Sequence, residues 1–392
     1  MISRKFYTYK LYKLIIFILF LNSIYPWFIW NNNLEYIVTI CSFLLTCYIF
    51  VNKNFFCDKT IQKNTKFIFI IIIFFFISCF GLNFFGIANA CLQMVIWLGI
   101  LSLRSNYKID ILNFITKYFS IILLFSLIVF ILVIYGSVSF PHNDILYSNG
   151  YYNSSNYYFF ITSTDDRFID LYRFQSIFIE PGHLILGIVP LIIANKFNIK
   201  NIYVLLLFIC ALFTFSLAGY ISLIVAFVLL YFRKFNLRLL LITAILSLVS
   251  LFAIQYFGIG RFFSVFFADR LTGNTSMEII NSRYSSYIEN EYNNVLYSSD
   301  AIFGNPYFDL NKGETGSAGY KVLVVQHGLI MIFIVFFLYS YFYYKRRNYN
   351  SLVLSIIILL LLSQDSYPMM SCIYISYLLG NENIKNIQLE NK

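Results

Sequence analysis

The sequence is poor in charged residues, which make up 12% of its positions, whereas 60% of its residues are hydrophobic. Soluble globular chains contain about 25% charged and about 45–50% apolar residues. A chain this poor in charge could not cover a water-facing surface of its size, so the composition excludes an ordinary soluble protein. Lipid is the solvent that suits it, and the sequence therefore predicts an integral membrane protein.

A signal-peptide cleavage site is also missing. The first hydrophobic stretch, residues 11–30, is longer than the core of a signal peptide, and no small-residue cleavage site follows it. We therefore expect this stretch to form the first membrane span.

Metal-binding and nucleic-acid-binding patterns are lacking as well. Most of the seven cysteines lie inside apolar runs, where core packing is their expected role, and their spacing indicates neither a metal site nor a disulfide framework. The net charge of +10 does not indicate nucleic acid, because the lysines and arginines lie in short loops between the apolar runs. The sequence thus predicts no metal, no cofactor and no nucleic-acid partner.

Apolar segments are numerous and mostly long enough to cross about 30 Å of hydrocarbon at about 1.5 Å per residue. They predict an all-α fold, a polytopic membrane helical bundle of about 12 transmembrane helices. Residues 1–392 form a single membrane domain in this interpretation. The predicted spans are residues 11–30, 34–52, 66–82, 84–103, 112–135, 177–195, 201–215, 217–232, 239–258, 322–343, 350–362 and 367–380.

Basic residues are distributed unequally between the loops on the two sides of these spans. One side holds all of the 28 lysines and arginines except Arg167, Arg173, Arg261, Arg270, Arg283, Lys312 and Lys321. Cytoplasmic loops carry the excess of basic residues in membrane proteins. The count therefore predicts that both termini lie in the cytoplasm.

Two loops on the less basic, extracytoplasmic side are long, residues 136–176 and 259–321, and both are rich in Tyr, Asn and Ser. Long loops in compact proteins are usually functional or disordered. In the second loop, residues 276–296 carry hydrophobic groups at helical spacing behind a candidate N-cap, Ser276. We expect an amphipathic helix that lies on the outer membrane surface or caps the bundle.

The most informative group of ionisable residues runs from Arg173 to His183. Pro181 suits the first turn of a helix, because its missing N–H would be unpaired there anyway. Glu180 then lies at the positive end of the helix dipole, and His183 lies in the first turn. Ionisable groups at membrane depth cost at least about 2.5–3.5 kcal/mol each, so they are functional candidates by default. The alternative is an interfacial Glu180–Arg173 ion pair that only orients the helix.

Three arginines of the second long loop, Arg261, Arg270 and Arg283, suit a phosphate ligand. Arginine contacts phosphate oxygens in a bidentate manner and stays charged. External arginines beside a bilayer indicate a lipid-linked pyrophosphate, and the alternative is ordinary pairing with neighbouring acidic residues. His327, in the tenth predicted span, is a further candidate, although a lone histidine on an apolar helix is more often a packing residue.

Arg173 followed by Glu180-Pro181-Gly182 at the start of a span resembles the signature of bacterial O-antigen and capsular polysaccharide polymerases of the Wzy type. The resemblance covers residues 160–340 and the hydropathy profile. Three further stretches resemble elements of that family: Ser216-Leu217-Ala218-Gly219-Tyr220, then Arg283-Tyr284 with residues 302–306, and Gly319-Tyr320 with residues 326–330.

The resemblance implies a GT-C-like glycosyltransferase in the bacterial inner membrane. Such polymerases transfer a glycan from undecaprenyl pyrophosphate to the non-reducing end of another lipid-linked repeat unit, on the outer face of the membrane. The implied partners are the undecaprenyl pyrophosphate-linked oligosaccharide, membrane lipid and, from the family alone, a chain-length regulator protein.

The chemistry of that reaction suits the residue types present. Pyrophosphate is the leaving group, and preorganised arginines stabilise its developing charge without a metal. The resemblance implies this role for Arg173, Arg270 and Arg283. The acceptor hydroxyl must lose its proton, and a carboxylate or imidazole accepts it, so Glu180 or His183 is the implied base or acceptor-positioning group. Further candidates are Arg261, His327 and Tyr320.

Other functions stay open at this point. O-antigen ligases, a sister group of similar fold, carry a catalytic histidine in the late outer loop, where this chain reads Ser317-Ala318-Gly319. A lipid-linked oligosaccharide flippase needs charged and polar groups within its spans, whereas these groups lie outside the spans here. A structural membrane protein would tolerate the loss of Glu180.

Overall fold

The structure is a computed structural model. It describes residues 2–30, 32, 34–51, 62, 64–80, 82–134, 136, 138–146, 153–164, 173–232, 286–306, 308, 319–363 and 370–390. The α-helices of these residues are α1 (Ile2–Asn22), α2 (Trp27–Trp30), α3 (Glu35–Val51), α4 (Thr65–Ser78), α5 (Phe84–Ser102), α6 (Ser105–Ile134), α7 (Pro181–Ala194), α8 (Ile202–Phe213), α9 (Leu217–Phe232), α10 (Ser286–Leu296), α11 (Gly319–Arg346), α12 (Tyr349–Leu362) and α13 (Ser371–Glu390).

The described part of the chain is mostly helical, as expected for an all-α membrane protein. Three helices, α5, α6 and α11, are long and apolar enough to cross a membrane, and α3, α4, α7, α8, α9 and α12 are shorter apolar helices. Every predicted span except 239–258 overlaps a described helix. Residues 239–258 lie outside the described residues, so the total of about 12 spans stays a prediction.

The helix bounds differ most from the predicted spans at the two ends of the chain. α1 ends at Asn22 rather than at residue 30, because the chain turns at Tyr25, whose φ is 58°, and restarts as α2. α13 continues to Glu390 rather than ending at residue 380. The prediction followed hydropathy, whereas a helix continues as long as each added residue gains its backbone hydrogen bond.

α7 is enclosed by other helices along most of its length. Residues 184–194 are buried, and so is Pro181. The helix has 14 residues and therefore rises about 21 Å, which is less than the about 30 Å of a hydrocarbon layer. The non-helical residues 173–180 directly precede the N-terminal end of α7.

α13 packs along α7 in the centre of the bundle, and residues 371–382 are all buried. A Cβ atom at Gly380 would lie 2.6 Å from the Cβ of Ala194, so the two helices approach closely there. Tyr374 stacks on Trp97 of α5 with ring centroids 3.6 Å apart, and its hydroxyl donates to the Trp97 carbonyl at 3.1 Å.

Polar contacts between helix ends divide the bundle into two faces. Lys13 pairs with Asp110 at 2.9 Å, and Arg346 pairs with Glu382. Ser105, at the start of α6, donates to Glu382 at 3.0 Å. The first half of α1 and the second half of α13 therefore lie on one face, which we call the Lys13 face. The opposite face, where α7 begins, is called the Arg173 face.

The first long loop contains a small antiparallel sheet that the all-α prediction did not include. Its strands are β1 (Asn143–Leu146), β2 (Asn153–Asn156) and β3 (Ile161–Thr164), in the order β1-β2-β3. Asp144 pairs with Ser155, and Asn156 pairs with Ile161. The strands have only four residues each and show no alternating hydrophobic pattern, so the sequence did not indicate them.

The second long loop contains α10, which covers the later part of the helix predicted at 276–296. The earlier part, including Ser276, lies outside the described residues. α10 packs on the first turns of α11, where Glu289 Oε2 lies 2.5 Å from Lys321 Nζ. A small hydrophobic cluster accompanies this ion pair and consists of Ile288, Phe308, Val322 and Val325.

Gly380→Leu should destabilise the protein, because the added side chain meets Ala194 at the closest approach of α7 and α13. Overpacking of this kind lowers the free energy of unfolding by about 1–3 kcal/mol. The midpoint of thermal unfolding of the full-length protein in detergent measures the loss. Gly182→Leu is the matched control, since a Cβ there meets nothing within 4 Å. An equal loss in both variants would contradict this packing.

Candidate functional site

Residues 173–180, here called the entry segment, run through the protein interior without helical structure. Phe174, Gln175, Ser176 and Phe178 are 0% exposed. The rings of Phe174 and Phe130 have centroids 5.5 Å apart, and those of Phe178 and Phe119 lie 6.1 Å apart. The two phenylalanines of the entry segment therefore anchor it against α6.

Backbone hydrogen bonds tie the entry segment to three other parts of the chain. Backbone polar groups inside an apolar bundle need partners, and a non-helical segment must find them outside itself. The partners are the end of α8, strand β3 and the start of α2. The bonds are Phe174 N–H to Phe213 C=O (3.0 Å), Ile161 N–H to Ser176 C=O (2.7 Å) and Trp27 N–H to Ile177 C=O (2.9 Å).

Strained backbone conformations occur in and beside the entry segment. Tyr25, Tyr158, Ser176 and Phe215 have φ values of 58°, 66°, 53° and 47°, in a region that residues other than glycine rarely adopt. Each such residue costs about 1–3 kcal/mol and persists only where the surrounding structure holds it. The neighbours of the entry segment thus hold it in one conformation.

Glu180 is the N-cap residue of α7, with φ −137° and ψ 146°, and Pro181 follows in the first turn. This confirms the helix start predicted from the sequence. The Glu180 side chain is exposed and makes no capping hydrogen bond. A Cβ at Gly182 would meet nothing within 4 Å, so the space beside the helix start is open. The carboxylate therefore lies near the positive end of the helix dipole, where another molecule can reach it.

His183 lies in the first turn of α7, half-buried, with its ring centroid 5.4 Å from that of Tyr25. Its Nδ1 atom is buried and has no hydrogen-bond partner among the described residues. An unpaired buried nitrogen costs free energy, which a ligand can recover by binding to it. Glu180 and His183 are three residues apart, at the N-cap and in the first turn of α7.

Arg173 is half-buried at the beginning of the entry segment. Its Nε donates to the Thr214 carbonyl at 3.3 Å. The guanidinium also interacts electrostatically with Tyr220, whose hydroxyl donates to the Leu212 carbonyl. In the part of the chain that the structure describes, no ion pair joins Arg173 to Glu180. Arg173 instead connects the entry segment to the turn between α8 and α9.

Residues 216–220 lie directly against α7. Ser216 starts α9: its Oγ accepts from the Gly219 N–H at 3.4 Å, and its carbonyl accepts from the Tyr220 N–H at 2.9 Å. A Cβ at Gly219 would lie 2.6 Å from the Cδ1 of Ile185, so a glycine is needed for this approach. The structure thus places residues 216–220 beside the helix that begins after Glu180.

Two glycines allow residues 302–306 to pack closely against α11. The helix is interrupted at Gly328, with φ 70° and ψ −177°. A Cβ on Gly328 would lie 2.1 Å from the Ile302 oxygen, and one on Gly304 would lie 2.5 Å from the Gly328 nitrogen. Residues 302–306 supply hydrogen-bond partners that the broken helix lacks. These bonds are Asn305 N–H to Val325 C=O (2.6 Å) and Ile330 N–H to Ile302 C=O (3.2 Å).

His327 and Tyr320 lie on the first part of α11. His327 directly precedes the interruption and is half-buried, and its Nδ1 is buried without a hydrogen-bond partner among the described residues. Tyr320 is 37% exposed, and its N–H donates to the Ser363 carbonyl at the end of α12 at 3.3 Å. α12 also packs against α7 and α9, so it contacts the helix that follows the entry segment.

The structure places only part of the predicted site. Arg261, Arg270 and Arg283 lie outside the described residues. Within the described ranges, no group of three or more His, Cys, Asp or Glu side chains is placed to hold a metal ion.

Sequence reasoning missed Tyr25 and the ion pair of Lys321 with Glu289. Tyr25 meets His183 only because the first turn of the chain folds back against the entry segment. Lys321 and Glu289 lie on different helices, so no spacing within one helix links them. The sequence carries no periodic signal for contacts of this kind.

Comparisons with other proteins yield no relatives: no protein-family model matches the chain, and no curated protein or solved structure matches it.

Gly328→Ala should destabilise the protein, because the backbone conformation at Gly328 is suited to glycine and costs other residues about 1–3 kcal/mol. The new methyl group would also meet the Ile302 oxygen. The thermal unfolding midpoint in detergent measures the effect, with Gly182→Ala as the control. The double variant Gly304→Ala/Gly328→Ala should lose less stability than the sum of the two single losses, since both glycines allow the same close approach of residues 302–306 to α11. Strictly additive losses would argue against this close approach.

Proposed function

We propose that this chain is a metal-independent glycosyltransferase of the Wzy type that polymerises surface polysaccharide repeat units. It transfers a glycan from undecaprenyl pyrophosphate to the non-reducing end of another lipid-linked unit at the outer face of the bacterial inner membrane. One observation carries the proposal. Glu180 is exposed at the start of α7, and Arg173 of the same entry segment is anchored at Thr214, beside the second stretch that resembles this family.

The proposal includes an orientation in the membrane. The bundle crosses the bilayer about 12 times, with the Lys13 face in the cytoplasm and the Arg173 face outside. The position of Lys13 and Arg346 on one face supports this, because basic residues concentrate on the cytoplasmic side. Both termini are then cytoplasmic, and Glu180 meets a substrate presented from the outer leaflet.

The reaction has a simple balance of bonds. The acceptor hydroxyl oxygen attacks the anomeric carbon of the donor sugar, and a glycosidic bond forms. The bond from that carbon to the pyrophosphate oxygen breaks, and the electron pair leaves with pyrophosphate. Glu180 or His183 takes the hydroxyl proton. Arg173, with Arg270 and Arg283, stabilises the charge that develops on the leaving group.

The placement of charge favours an enzyme at one interface over a flippase. A flippase moves its substrate through a polar cavity between its spans. Among the described residues, buried charged side chains occur near the ends of the bundle rather than at mid-depth. Lys321 lies in the first turn of α11, and Lys108 and Glu382 lie at the Lys13 face.

A strain that lacks the gene provides the assay, with its surface glycan separated on a gel. Loss of a polymerase leaves single repeat units on the lipid anchor. Loss of an O-antigen ligase leaves no repeat units on the anchor while lipid-linked polymer accumulates, and loss of a flippase traps the unit inside the cell. Either of the last two patterns would overturn the proposal.

Glu180→Gln and His183→Phe should identify the base when each variant is returned to that strain. Glutamine keeps the shape of Glu180 without its charge, and phenylalanine keeps the ring contact with Tyr25. Loss of the general base lowers the rate by about 10²–10⁴-fold, so the variant that removes it should leave mostly single repeat units. Glu291→Gln on α10 is the matched control and should restore full polymer. Full polymer in both site variants would reject this site.

Arg173→Lys should lower polymer formation strongly, because lysine keeps the charge but cannot form the planar contacts that arginine makes with the Thr214 carbonyl and with phosphate. Arg347→Lys, at an exposed position beyond the end of α11, is the control. Protein amounts in the membrane are compared by immunoblot. Normal polymer at normal protein amount would show that Arg173 does not bind the leaving group.

A further inference from the structure

Tyr158 occupies a backbone position that its residue type does not favour. It lies in the turn between β2 and β3 with φ 66°, and its N–H donates to Asn156 Oδ1 at 2.8 Å. Glycine or asparagine would fit such a left-handed position at lower cost. The turn alone therefore gives no reason for a tyrosine, and the side chain is the feature to be explained.

The Tyr158 side chain is held in place on the Arg173 face. Asn143 Nδ2 donates to the Tyr158 hydroxyl at 2.9 Å. The Trp27 indole N–H donates to the Tyr158 carbonyl at 3.1 Å, and the two rings have centroids 6.0 Å apart at 69°. Tyr158 nevertheless stays 44% exposed. A ring that is both held and exposed binds a ligand with little further loss of side-chain entropy.

Asp144 follows Asn143 in β1 and therefore projects from the opposite face of the sheet, where its Oδ1 accepts from Ser155 Oγ at 2.8 Å. Its side chain is 74% exposed. The group on the Tyr158 side consists of Trp27, Asn143 and Tyr158, which we together call the Tyr158 platform.

We propose that the Tyr158 platform binds a sugar residue of a glycan. One face of a pyranose carries C–H groups, which pack against the electron-rich face of an aromatic ring. The hydroxyls at the edge of the sugar donate to amide oxygens and accept from amide N–H groups. The Tyr158 ring beside the Asn143 amide offers both kinds of contact.

The platform is connected to the entry segment by short contacts. The backbone N–H of Trp27 donates to the Ile177 carbonyl, and the backbone N–H of Ile161 in β3 donates to the Ser176 carbonyl. A sugar bound at Tyr158 is therefore held in a defined position relative to Glu180. The assignment of this sugar to the acceptor or donor glycan rests on the proposed function, whereas sugar binding itself is tested without it.

Tyr158→Asn provides the test, because asparagine tolerates the left-handed turn and removes the ring. The probe is the lipid-free oligosaccharide that mild acid releases from the surface polysaccharide of the source cell, titrated calorimetrically into the full-length protein in detergent. We expect the Kd to rise at least tenfold. Asp144→Asn changes the opposite face of the same strand and should leave the Kd unchanged. Tyr297→Asn changes a tyrosine that is 87% exposed and should leave the Kd unchanged.

Three results would overturn the inference. They are the absence of oligosaccharide binding by the wild-type protein, an unchanged Kd in Tyr158→Asn, and an equal rise in Tyr297→Asn. An unchanged Kd with weaker retention in phosphatidylglycerol vesicles would assign Tyr158 to the lipid interface, where tyrosine and tryptophan concentrate. The gel assay of the Glu180 and His183 variants is independent. Full polymer in the Glu180 and His183 variants, together with loss of oligosaccharide binding in Tyr158→Asn, would reject the proposed catalytic site and support the sugar-binding site.

Discussion

The pairing of backbone polar groups inside an apolar bundle is the constraint on which this structure depends. Helices satisfy it within themselves, but the entry segment and the interruption at Gly328 do not. The entry segment takes its partners from α8, β3 and the start of α2. At Gly328 the partners come from residues 302–306. Both non-helical regions are therefore hydrogen-bonded to distant parts of the chain, and these bonds connect the helices of the bundle.

That constraint also determines what the candidate site offers a substrate. Because its neighbours hold the entry segment, α7 begins at a defined point, with Glu180 exposed and His183 against Tyr25. The same contacts connect the sheet to this point, so the Tyr158 platform and Glu180 belong to one rigid arrangement. The proposed transfer between two substrates requires such an arrangement, since positioning the substrates supplies much of the rate enhancement of an enzyme.

Much of the helical architecture could be predicted, because hydropathy reports burial in lipid or in the core. Span 217–232 coincides with α9, and the first turn of α7 follows from Pro181 and the capping position of Glu180. Hydropathy does not report where a helix bends or breaks. The turn at Tyr25 and the interruption at Gly328 depend on contacts with residues far away in the sequence, and the strands β1 to β3 are too short and too polar for a periodic signal.

The candidate site, like the helices, combines features that the sequence determines with features that depend on tertiary contacts. The sequence by itself determined that the protein is apolar enough for a bilayer, that its basic residues lie mostly in short loops between apolar runs, and that an acid, a histidine and a proline open α7. These are properties of composition and of neighbouring residues. Only the tertiary structure decided that Arg173 connects to Thr214, that Gly304 meets Gly328, and that Asn143 holds the Tyr158 side chain. Contacts between distant residues depend on how the helices pack, and no local pattern encodes that packing.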